Sequence, residues 1–224
     1  MQWLLDNLPY VLGLAWLHLY QSVLPLVVGL AVSLPLGWLA WRIRTTRGLI
    51  LSVSSVLYTI PSLALFVILP VLLGTRILDM ANLIVALTLY AVALLVRSVV
   101  DALNSIDDGV RQAARAMGYR PLRRFLAVDL PLSLPVLFAG LRVVSVSNVS
   151  LASVGAVIGI QNLGVLFTDG LLRSFLTEIF VGIVMTLVLA ALLDAVLVLT
   201  ERLLTPWRRP GRRARTTVRA AAGP

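Results

Sequence analysis

The sequence predicts an all-α integral-membrane protein: about five transmembrane helices with a short cytoplasmic helix between two of them. Three observations predict it. The 224 residues are 59% hydrophobic and only 13% charged, whereas an average soluble domain is about half apolar and a quarter charged. Stretches free of arginine and acid cover residues 7–41, 48–75, 80–96, 143–168 and 179–193, and a spanning helix needs about 20 mostly apolar residues. The cationic residues, all of them arginine, crowd into segments that fall on one side of those stretches.

Taken in order, the spans read as Leu19–Trp41, Leu49–Leu73, Ala81–Val100, Leu134–Ile158 and Ile179–Leu199. Residues 1–18 are apolar sequence to spare, expected as an interfacial or partly inserted helix with Trp3 and Trp16 as anchors. His18 reads as an interfacial residue. A signal peptide fits poorly, because a basic start is expected and the first arginine is Arg42. Pro61 predicts a kink in the second span, a gate or a fixed bend, with Thr59 and Ser62 available to satisfy the freed backbone groups. Asp194 only interrupts an apolar segment that continues to Thr200. Residues 19–205 therefore form the membrane domain, and 206–224 a basic tail expected to be disordered.

Orientation follows from arginine placement. Arg42, Arg44 and Arg47 lie between the first two spans, five arginines lie within 111–124, and seven follow the last span. The opposite side holds only Arg76 and Arg173. The N-terminus is expected outside and the C-terminus in the cytoplasm, in a multi-pass cell-membrane protein. The tail then serves as a topology anchor or binds anionic lipid headgroups. Its charge needs no nucleic acid to explain it.

Absent residues exclude chemistry. The chain has no cysteine and no lysine, and its one histidine is His18. Thiol chemistry, Schiff bases, a lysine-dependent phosphate loop and a multi-histidine metal site are ruled out or disfavoured. A catalytic role is not expected.

The loop 101–132 is the longest polar stretch inside the chain. Ser105 with Asp108 resembles a capping box opening a helix over Gly109–Met117, which Gly118 and Pro121 end. Leu122–Val128 is expected to add a turn or two before Pro131 and Pro135 break the chain. Ala114 and Gly118 share a face where a protein surface can approach closely, and Arg111 with Arg115 offers a cationic edge.

At these residues the sequence resembles a family. Gln112-Ala113-Ala114, three residues, Gly118, nine residues, Val128, one residue and Leu130-Pro131 match the spacing of the EAA loop of ABC-importer permeases. Gln112 stands where the family carries glutamate, and Val128 where it carries isoleucine. Thr59-Ile60-Pro61-Ser62-Leu63-Ala64-Leu65 and His18-Leu19-Tyr20-Gln21-Ser22 resemble segments of the glycine betaine, carnitine and choline permeases. Gly159-Ile160-Gln161-Asn162-Leu163-Gly164 keeps part of a glycine-rich family loop.

The resemblance implies a MetI-like permease bundle. It implies ATPase coupling through Gln112, Ala113, Ala114, Gly118, Leu130 and Pro131. The implied partners are ABC ATPase subunits carrying ATP and magnesium, an extracytoplasmic solute-binding protein, and a second permease copy or sister permease. The solute is expected to be an osmoprotectant, with another small solute such as an amino acid as the alternative.

Within the membrane, Tyr58, Thr59, Pro61, Ser62, Ser145 and Asn148 are candidate pathway residues, with Tyr90 a further candidate aromatic. Plain interhelical hydrogen bonding is the more ordinary reading of the span-four polar residues. Asp194 is either an ion-pair partner of Arg142 or Arg97, or the proton site of a secondary transporter. A membrane scaffold without transport is the third reading.

Overall fold

The computed structural model describes residues 2–208, so the tail expected to be disordered lies from residue 209 onward outside the described residues. Among the described residues every regular element is helical. Four helices are long and apolar enough to cross a membrane, and five if a bent pair counts as one span.

A short helix α1 (Gln2–Asp6) leads into α2 (Leu8–Arg42), which runs unbroken for 35 residues. The expected boundary at His18 therefore falls inside a helix. At 1.5 Å per residue α2 is about 50 Å long, more than the roughly 30 Å hydrocarbon core. Pro9 enters at its first turn, where the missing N–H costs nothing. Its buried positions include Val11, Leu14, His18, Gln21, Ser22, Pro25, Gly29, Ser33, Gly37 and Ala40, spaced by three and four residues along one face.

The second expected span is two helices, α3 (Arg44–Thr59) and α4 (Ser62–Leu73), bent by 103°. Proline disfavours the helical region for the residue before it. Ile60 accordingly has ψ 127° and Pro61 ψ 132°, both extended. A proline at the N-cap of α4 and an extended residue before it turn an expected kink into a break.

Helix α5 (Met80–Asn104) is the centre of the bundle, packing on α2, α3, α4 and α8 (Leu130–Val154). One apolar cluster joins Leu26, Leu95, Val99, Leu103, Phe138 and Leu141. A second joins Leu65, Phe66, Leu69, Leu83 and Leu87. Small residues set the α2–α5 spacing, as they do between membrane helices generally. A Cβ on Gly29 would lie 2.6 Å from Ala91 Cβ, and one on Gly37 2.5 Å from Val99 Cγ1.

Between α5 and α8 lie α6 (Asp108–Ala116), α7 (Pro121–Arg124) and a π-helical turn, Phe125–Asp129. The chain does not break at Pro131 or Pro135. The wider π turn directly before Pro131 relieves the clash its ring would make with the preceding turn. Helix α9 (Val165–Leu172) then precedes α10 (Leu176–Leu204), which buries only Glu178, Gly182 and Leu189 and is tied to α8 by Arg142 and Asp194. The guanidinium donates from Nε to Oδ1 at 2.6 Å and from Nη2 to Oδ2 at 2.8 Å.

Gly37→Leu is expected to overpack the α2–α5 seam, cost about 1–3 kcal/mol and lower Tm in detergent. Gly13→Leu, with nothing within 4 Å of its Cβ position, should leave Tm unchanged in the same melting experiment.

Candidate functional site

The short helix α6 between the third and fourth expected spans is built locally. Its cap is Asp107, whose carboxylate accepts from the Gly109 N–H at 2.7 Å. Ser105 is not part of a capping box. It ends α5, and its hydroxyl donates back to the Ala102 carbonyl at 2.7 Å. At the other end Gly118 has φ +78°. Its N–H donates to Arg115 O at 2.9 Å and that of Tyr119 to Ala114 O at 3.1 Å, the paired bonds of a Schellman cap. Gly118 is thus required by its backbone conformation, whereas the sequence suggested a flat docking face.

The residues expected to couple to an ATPase separate into two sets. Gln112, Ala113 and Gly118 are exposed. Ala114 is buried against the protein, so it does not share an accessible face with Gly118. Leu130 and Pro131 are half-buried where α8 begins. Arg111 is no surface cation either: it is buried, with its guanidinium 4.7 Å from the Trp41 ring and Nε 3.4 Å from Asp129 Oδ1. Arg115 stays exposed. Met117, Leu122 and Leu126 form exposed apolar flanks around the helix.

The residues at the break behave differently. Tyr58, Thr59 and Pro61 are exposed and Ser62 is half-buried. The Thr59 hydroxyl donates to Val56 O at 2.7 Å. The carbonyl of Ile60, left over by the break, accepts from Tyr90 Oη at 2.5 Å. Tyr58 sets its ring edge-on to Tyr90 with centroids 5.9 Å apart. Tyr90 is thus the residue that closes the break, a role sequence reasoning missed, since nothing in the sequence pairs residues 30 apart across two helices.

Ser145 and Asn148 do not join Tyr58 and Thr59 in an exposed surface. Both are buried, and Asn148 Nδ2 donates to Ser22 O at 3.3 Å. His18 is buried rather than interfacial, its Nε2 2.9 Å from Val149 O. One turn on, Gln21 Nε2 donates to Gln161 O at 2.9 Å, and Gln21 Oε1 accepts from Asn162 Nδ2 at 3.0 Å. Asn162 also donates to Ala152 O at 2.8 Å and accepts from Gly164 N at 2.7 Å. The 18, 21, 22 spacing was the available signal for this seam, because those positions share one helical face.

Residues 14–210 match the family described as binding-protein-dependent transport system inner membrane component. The osmoprotectant import permease OsmW of Salmonella typhimurium is 33% identical over 207 residues, covering 91% of this chain and 96% of that one. The glycine betaine/carnitine/choline permease OpuCD of Bacillus subtilis is 31% identical over 202 residues, covering 90% and 87%. An inward-facing structure of the MetNI methionine ABC transporter superposes with a TM-score of 0.81 at 23% identity, covering 89% of this chain and 98% of that one, a likeness of fold.

Gly118→Ala is expected to strain the Schellman cap by about 1–2 kcal/mol. Gly118→Asn, which tolerates left-handed backbone, should recover most of that. Equal destabilisation of both variants in a thermal melt would contradict the cap reading.

Proposed function

The chain belongs to the family of binding-protein-dependent transport system inner membrane components, and we propose that it is the membrane-spanning subunit of an osmoprotectant importer powered by a separate ATPase. The solute is a small compatible solute of the glycine betaine, choline, carnitine or proline kind. The observation that carries this reading is a nine-residue helix displaying Gln112 and Ala113 outside an apolar bundle, in a chain 33% identical to an osmoprotectant permease over 91% of its length.

The division of labour follows from chemistry. Without lysine this chain supplies no phosphate-loop cation, so ATP and magnesium belong to the partner ATPase. The small side chains of Ala113 and Ala116, with the Gln112 amide beside them and Met117 and Leu122 flanking, suit a shallow groove on that partner. Closure of the ATPase pair pushes α6 and tilts the bundle between inward- and outward-facing states. On the far side, the 74–80 and 160–178 segments receive the loaded binding protein. The exposed apolar faces of α3, which buries no residue, and α10 meet lipid and a second or sister permease.

Arginine placement supports an outside N-terminus and a cytoplasmic C-terminus. A proton-driven carrier would need Asp194 available to titrate, and both its oxygens are engaged by Arg142.

Ala113→Trp places bulk on an exposed position and should leave Tm unchanged while abolishing copurification of the ATPase and ATP-driven uptake of glycine betaine and choline. Unchanged uptake would overturn the docking assignment. The absence of native cysteine makes single-cysteine labelling clean: Ala116→Cys should react only from the cytoplasmic side and Leu172→Cys only from outside. The reverse pattern would invert the topology.

A further inference from the structure

We propose that Arg111, clamped by Asp129 and Trp41, is the positioning residue through which displacement of the cytoplasmic helix reaches three spanning helices at once. This rests on the importer reading above and adds the residues that carry the movement.

Little holds α6 in place. Its nine residues are fewer than the ~12–15 an isolated helix needs to be marginally stable. Only two of its side chains are buried, Arg111 and Ala114. Ala114 contributes one methyl group. Besides its chain connection through buried Ile106, α6 thus meets the rest of the protein mainly through Arg111.

The guanidinium reaches every neighbouring element. Nη1 donates to the Ile106 carbonyl at 3.2 Å and Nη2 donates to the Leu103 carbonyl, at the C-terminal end of α5. There a cation also meets the negative end of the helix dipole. Its plane lies 4.7 Å from the ring of Trp41, in the last turn of α2. Nε stands 3.4 Å from Asp129 Oδ1, directly before α8. The other oxygen of Asp129 accepts from Arg124 Nε at 3.1 Å. Asp129 is fully buried in the π-helical turn, where one extra residue per turn re-aims a side chain.

Apolar surfaces slide past one another at little cost. A planar guanidinium that donates to two carbonyls and to Asp108, stands in ion-pair contact with Asp129 and lies over a ring has an orientation that a lysine's point charge does not reproduce. The ends of α2, α5 and α8 therefore move with α6 rather than around it.

The test uses the complete importer, permease with its ATPase and binding protein, in proteoliposomes, with glycine betaine and choline as probes. Uptake, ATP hydrolysis and retained ATPase are measured together. Arg111→Gln is expected to keep the ATPase bound while uptake per ATP hydrolysed falls at least tenfold, and Arg111→Lys should restore only part of it. Ala113→Trp, by contrast, loses the ATPase itself. A wild-type uptake-to-hydrolysis ratio in Arg111→Gln overturns the inference and leaves the importer reading intact. Absence of ATP-driven uptake by the unaltered complex overturns the importer reading. Hydrogen exchange on the unaltered complex decides without any variant. The amides of 108–116 should be protected together with those of 100–104 and 125–130 and shift together on ATP binding. Independent, fast exchange of 108–116 overturns the joint.

Discussion

Lipid offers no hydrogen-bond partner, so each polar group that enters it must be met by another part of the chain. The α2–α8 seam is where this requirement is concentrated. His18 Nε2 meets the Val149 carbonyl, Ser22 Oγ the His18 carbonyl and Asn148 Nδ2 the Ser22 carbonyl in its middle, and Gln21 with Asn162 extends it to the loop that follows α8. Apolar packing between membrane helices has no preferred register of its own. A row of paired polar groups does, because sliding by one turn would leave each of them unmatched. The register of α2 against α8 then fixes where Gly29 and Gly37 meet α5, and α5 in turn carries the loop that leads to α6.

The spanning helices and the short helix between the third and fourth expected spans were legible because they rest on local rules: apolar length and turn residues. The arrangement around Arg111 was not. Its i,i+4 relation to Arg115 reads as an exposed cationic edge, and only the return of the chain at Asp129, eighteen residues on, draws it inward. Asp107 took the cap from Ser105 because α5 continues to Asn104, leaving Ser105 inside the turn. Pro61 was legible as a disturbance. Its depth was not, since the break depends on Tyr90, a residue on another helix, to take the stranded carbonyl. His18 was misplaced for the opposite reason: apolar sequence on both sides looked like an interface, and the surplus proved to be one continuous helix.

The loop motif therefore mixes two kinds of requirement. Gly118 and Ala114 serve the helix itself, one by its backbone angle and the other by fitting against the protein. Gln112 and Ala113 face outward. Motif spacing alone treats these residues alike; geometry divides those that shape the helix from those a partner can touch.

The Arg142–Asp194 pair, between α8 and α10, has an electrical consequence. A closed pair is neutral over any distance longer than its own 2.6 Å separation. When α8 and α10 shift together, no net charge crosses the membrane field at that point. A transmembrane voltage is worth about 2.3 kcal/mol per elementary charge per 100 mV, and on this pair it does no work. The pair itself therefore adds no voltage sensitivity to a joint movement of these two helices.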